Sequence, residues 1–263
     1  MNNAQPAVQA RFMRGVAAVE PAADPRPLGA ADTAFGLDVL RAWCAQHPGQ
    51  NLVFSPSTLA SALGMAYLGA NGATASAMAK VLHLPSVPGT ALAAGLQART
   101  HALAAVNGPG VTVAASNQVW ADPTLSTASG YLNSVATGYN AGLAQAPLRT
   151  DPVKAAGEID NAISAGTRGH IKNLVTPDML RQIGWVLTSA LYLDAKWATP
   201  FDASKTQDES FKLAAGTSVT VPFMNEDGVS YAASGGWQAV SLPYRGGKLT
   251  MTALLPPPAP VRQ

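Results

Sequence analysis

The chain has 263 residues, 48% of them hydrophobic and 12% charged, and a formal net charge of +2. That balance fits a packed globular protein and excludes a disordered or polyelectrolyte chain. No basic run offers a nucleic-acid face, and the single cysteine, Cys44, excludes an internal disulfide.

Residues 1–28 read as a flexible leader, because Pro6, Pro21, Pro25 and Pro27 interrupt any regular element. The leader has no continuous apolar stretch of signal-peptide type. No later segment has the length and apolarity of a membrane span, so no membrane partner is expected. From Asp32, taken as the N-cap, Phe35, Val39, Leu40 and Trp43 recur at helical steps until Pro48-Gly49. Cys44 falls on this helix and is expected to be a small buried apolar residue rather than a nucleophile. Asn51–Phe54 is a short strand-like run. Ser57–Ala70 then predicts a helix that is apolar nearly all round and therefore interior.

Gly69 and Gly72 stop that helix, and Thr74 can cap the next one, through Met78, Val81 and Leu82. A further amphipathic stretch covers Ala91–Val106. Val111–Ala121 alternates as a strand, with Val111, Val113, Ala115, Asn117 and Val119 on one face. Leu125–Tyr139 predicts a helix, and Asp151-Pro152 starts another that carries Ile159 and Ile163. Trp185–Leu193 is almost continuously apolar, which predicts a central strand covered on both faces. Short strands follow at 210–213, 218–224, 230–233, 237–242 and 248–255, broken by Gly and Pro. Helices precede strands, so the fold class is α+β.

Catalytic motifs are missing. The chain has no G-x-S-x-G elbow, no H-E-x-x-H helix, no P-loop and no G-x-G-x-x-G turn. Gly69-Ala-Asn-Gly72 lies between two helices and reads as a helix stop rather than a phosphate loop. His47, His83, His101 and His170 are too scattered to bind a metal together, and no cofactor is implied. A hydrolase is accordingly the weakest reading.

Five blocks in chain order carry a resemblance. Asn51–Pro85, NLVFSPSTLASALGMAYLGANGATASAMAKVLHLP, resembles the serpin pattern of strand, Ser-Pro, central helix and next helix. Asn117–Trp120 resembles the second strand of the main sheet of that family. Ile159–Ile171 resembles the end of the helix that lies across the sheet. Ser189–Phe201, SALYLDAKWATPF, is similar to the third sheet strand and its exit. Val240–Pro256 resembles the L-P-Y hairpin. Together they span about residues 32–256.

The resemblance implies a serpin-like fold over residues 29–263, with N-terminal helices around a large sheet. It implies an inhibitor of serine or cysteine proteases that traps its target by inserting a cleaved reactive loop as a new strand. A non-inhibitory binding or carrier protein of the same fold is the alternative. By the same resemblance, Ser55, Pro56, Thr58, Asn117 and Ser189 fall in the region where the sheet opens, and Trp197 falls where insertion begins. The plainer alternative is that the polar residues are satisfied buried groups and that Trp197 is ordinary core packing.

Several positions depart from the family pattern. Ser189 replaces an asparagine, which predicts the loss of a donor. Ala162 replaces an aromatic residue, and Ala77 removes half of a capping box. Gln263 falls before the reactive loop and last core strands of the family pattern, so no reactive bond is expected in this chain. It is expected to be inactive, and to aggregate unless it is complemented. Helix 91–106 bears only Arg99 and His101, which argues against a heparin-type site. The family is largely extracellular, while the absence of a visible secretion signal leaves the cytoplasm open.

Overall fold

The computed structural model describes residues 12–213 and 216–257. They form two compact units. One takes the chain up to Ala105 together with Val113–Tyr192; the other joins Val106–Thr112 to the chain from Leu193 onward.

The first unit is organised by a four-stranded sheet of order β1-β3-β2-β4. Its strands are β1 (Phe12–Met13), β2 (Val111–Ala121), β3 (Gly142–Gln145) and β4 (Trp185–Ala195). β2 and β3 run parallel, with Val119 opposite Leu143, and β1 joins β3 antiparallel. The parallel pair needs a crossover, and α5 (Ser129–Tyr139) supplies it. Asn140, left-handed at φ 50°, turns the chain from α5 into β3.

Period-two alternation directs the core. Val119, Ala121 and Leu143 face a cluster with Leu28, Met65, Leu92, Leu96, Val135 and Tyr139. This cluster joins α1 (Arg26–Gln46), α2 (Pro56–Tyr67), α4 (Gly89–Ala104) and α5. Trp120 and Ala144 point the other way, onto Ile159 and Ile163 of α6 (Pro152–Gly166) and Leu180 of α7 (Pro177–Leu180). Asp151 caps α6 by accepting from the Lys154 N–H, as its sequence predicts. Ala162, where the resemblance implies an aromatic, still packs against this second cluster.

Several elements differ from expectation. Helix α1 starts at Arg26, with Pro27 in its first turn, where a missing N–H is harmless. Asp32 is therefore interior to α1, and its carboxylate pairs with Arg99. Cys44 is exposed rather than buried. Residues 51–54 form no strand ladder, and Val53 is fully exposed. In α2, Ala60, Gly64 and Met65 are buried, whereas Leu59 and Leu63 face outward, so this helix is covered on one side. Helix α3 (Gly72–Val81) is preceded by Asn71 rather than capped by Thr74. Strand β4 is the last strand of its sheet among the described residues, and only Ala190 in it is buried. The expected cover on both faces is absent there.

The second unit holds two small antiparallel sheets. Strands β5 (Gln207–Lys212) and β6 (Ser218–Phe223) form a hairpin. Strands β7 (Ser230–Ser234), β8 (Trp237–Pro243) and β9 (Thr250–Leu255) form a meander. A 3₁₀ turn at Ala203–Lys205 precedes β5.

Candidate functional site

Helix α2 begins beside the candidate site because Ser55 and Pro56 start it there. Ser55 is extended, its hydroxyl accepts from the Thr58 N–H at 3.4 Å, and Pro56 takes the first turn. The Thr58 hydroxyl donates to the Ser55 carbonyl at 3.0 Å, back along its own helix rather than to a strand.

Thr58 lines a cavity of about 90 Å³ with Ser57, Ser61, Arg99, Asn117 and Ser189. Asn117 on β2 is the hub. Its amide donates to the Tyr139 carbonyl at 3.2 Å, and its carbonyl oxygen accepts from the Ser189 hydroxyl of β4 at 2.8 Å. One side chain thus ties β2 to α5 and to β4. Position 189 still supplies a donor, because the serine hydroxyl reaches Asn117. Three residues on from Asn117, Trp120 Nε1 donates to the Thr188 hydroxyl at 3.1 Å, a second tie between the strands.

A charged pair was not legible in the sequence. Arg99 of α4 meets Asp32 of α1 at 2.7 Å, with both side chains 15% exposed. The same guanidinium donates to Ser61 of α2 at 3.3 Å and lies 5.5 Å from the Tyr139 ring centre. Burial raises the Asp32 carboxyl above its ordinary range, partly offset by Arg99. Burial also pushes the Tyr139 phenol up to about 12, so it stays neutral. Nothing in the spacing of residues 32 and 99 marks them as partners; the pairing comes from the packing of α1 against α4.

Ser55, Pro56, Thr58, Asn117 and Ser189 therefore gather around one helix start and one cavity. Trp197 belongs to the second unit. It stacks on Tyr244, with ring centres 4.5 Å apart and planes 9° apart, and meets Phe201 edge-on. Backbone bonds fix the stack: the Lys196 N–H donates to Gly110 at 2.8 Å, and the Arg245 N–H donates to Lys196 at 2.9 Å.

Chemically, the cavity offers hydroxyls, an amide and a neutralised ion pair. The amide and one of the hydroxyls bond β2 to α5 and to β4. Among the described residues no group of three or more His, Cys, Asp or Glu is placed to hold a metal ion. No helix among them is long and apolar enough to cross a membrane.

The family model Serpin (serine protease inhibitor) matches residues 30–262. An uncharacterized serpin-like protein of Thermococcus kodakarensis is 32% identical over 88% of this chain and 53% of its own length. Leukocyte elastase inhibitor of Equus caballus is 29% identical, over 87% of this chain and 61% of its own length. Among solved structures, ovalbumin of Dromaius novaehollandiae superposes with a TM-score of 0.79 at 26% identity, covering 87% of this chain and 63% of that one. The chain thus spans between half and two thirds of the length of these relatives.

Proposed function

The chain belongs to the serpin family, and on that premise we propose that it forms the sheet-bearing part of a serine-type endopeptidase inhibitor that works by conformational trapping. Serpins are protease inhibitors and not enzymes, although the family also has non-inhibitory members.

The observation that carries the proposal is the family match over residues 30–262, and the element it turns on is β4. This strand is 11 residues long, rich in Val and Leu, half-buried, and has no strand beyond it among the described residues. An extended segment laid against it would pair the outward N–H and C=O groups along its length. At roughly 1 kcal/mol net for each hydrogen bond, plus apolar cover, the gain is on the order of 5–10 kcal/mol. Asn117 and Ser189 hold β4 to β2 while its other edge accepts the addition. The Trp197–Tyr244 stack marks the β4 exit, where the resemblance puts the start of insertion.

In this reading the reactive loop and the remaining core strands come from sequence outside these 263 residues, and the chain alone is inactive. Its targets are serine proteases, with cysteine proteases as the second class, and its setting is extracellular. The test is incubation of the product of the gene's full reading frame with trypsin-type and elastase-type proteases. A covalent complex stable in detergent is expected. Cleavage by every protease without a complex would instead favour the non-inhibitory binding role, to which the superposition on ovalbumin lends support.

A further inference from the structure

We propose that residues 12–20 are a detachable strap, seated as a peptide in a site formed by β3, α4 and α5, and that this strap braces the Asn117–Ser189 tie. Phe12–Met13 adds a strand to the free edge of β3. Beyond it, alternate backbone N–H groups are read by side chains. Val16 donates to Asn133 Oδ1 at 2.8 Å, Ala18 to Thr137 Oγ1 at 2.9 Å and Glu20 to Gln97 Oε1 at 3.0 Å. Gln97 answers by donating to the Ala18 carbonyl at 2.7 Å, and Arg14 donates to the Asn140 side chain.

The match is geometric. Two residues of extended chain advance about 6.6 Å, and four residues of helix advance about 6 Å. Side chains at 133 and 137 of one helix are therefore spaced for N–H groups at 16 and 18. The seat is also shaped. Gly15 passes so close to α5 that any Cβ there would strike the backbone of Leu132 and Asn133. Gly142 leaves room for the Phe12 ring, which a Cβ at 142 would strike.

Polar clamps hold most of the strap, and Met13 is its half-buried anchor on the core cluster. Phe12 is 57%, Val16 78% and Val19 98% exposed. A segment attached in this way can leave with little loss of apolar burial beyond Met13. Its clamp at Thr137 nevertheless leads to the candidate site, because Thr137 and Tyr139 are in the same last turn of α5 and the Tyr139 carbonyl holds Asn117, which holds Ser189. The strap stands without any functional assignment; its influence on sheet opening rests on the function proposed above.

Hydrogen exchange on the 263-residue chain tests this, with Gly15→Val to unseat the strap and Asn133→Ala to remove one clamp without altering the strap itself. Amides 16, 18 and 20 are expected to exchange faster in both variants. Exchange in β3, at the end of α5 and around Asn117 and Ser189 is expected to rise by about fivefold or more. A synthetic peptide of residues 12–22 added to Gly15→Val should reverse the change. Faster exchange confined to residues 12–20 would overturn the brace, and unprotected amides at 16, 18 and 20 in the unmodified chain would overturn the strap. No protease enters the experiment, so its failure is distinct from failure of the inhibitor reading.

Discussion

The Ser189 hydroxyl donates to Asn117 Oδ1 at 2.8 Å, across the boundary between β4 and β2. Asn117 spends its amide on Tyr139, so the pair connects two strands to the helix beneath them. Asn117→Leu should lower stability by about 2 kcal/mol, because it leaves the Tyr139 carbonyl and the Ser189 hydroxyl without that partner. Ser189→Ala should lower it by about 1 kcal/mol. A double-mutant cycle in urea should return a coupling energy near the smaller value; additive effects would show that the bond contributes nothing.

Asp32 and Arg99 form a largely buried pair, and breaking it is more damaging than deleting it. Asp32→Ala strands the Arg99 guanidinium and should lower stability by about 3 kcal/mol. Replacing both with leucine should recover most of that loss. The Asp32 carboxyl titrates above its ordinary range, so the native state binds its proton more tightly than the unfolded chain. Its titration therefore lowers stability as pH rises from the ordinary carboxylate value through the raised one. The double-leucine protein should lack that slope in urea midpoints measured across the same window.

Asp122 carries the opposite sign. Burial raises its carboxyl, but the Thr124 hydroxyl at 2.6 Å and the backbone N–H groups of Arg149 and Thr124 outweigh this and hold it below the ordinary range. Its stabilisation is complete above the unfolded-state value and is lost as pH falls through the folded one. Asp122→Ala should lower stability by about 2 kcal/mol at neutral pH and flatten the acid limb of a thermal pH profile.

Much of the fold was legible because its elements carry strong local signals. Strand β2 reads from 111 to 121 by alternation, and α6 reads from its Asp-Pro start. Strand β3 is only four residues long, and its register is set by β2, so no local pattern announces it. The described part of the leader, from Phe12, was opaque for a related reason: its placement comes from side chains of Gln97, Asn133 and Thr137, more than 75 residues away. At the candidate site, Asn117 and Ser189 were reached through resemblance. Asp32 and Arg99 were missed because their partnership exists only once α1 and α4 pack.

The outward face of α2 and the edge of β4 carry exposed apolar side chains, among them Leu59, Leu63, Trp185 and Leu193. Leu193→Lys should reduce self-association of the isolated chain in sedimentation velocity, because a lysine on a strand edge discourages further pairing. Its stability should change by less than about 0.5 kcal/mol, as expected for an exposed position.

The central claim concerns that same strand, and hydrogen exchange in the presence of an extended, alternating small and apolar peptide of about a dozen residues tests it directly. The account predicts new protection on alternate amides between Trp185 and Ala195, together with a higher melting temperature. Protection confined to other strands, or none along β4, would contradict it.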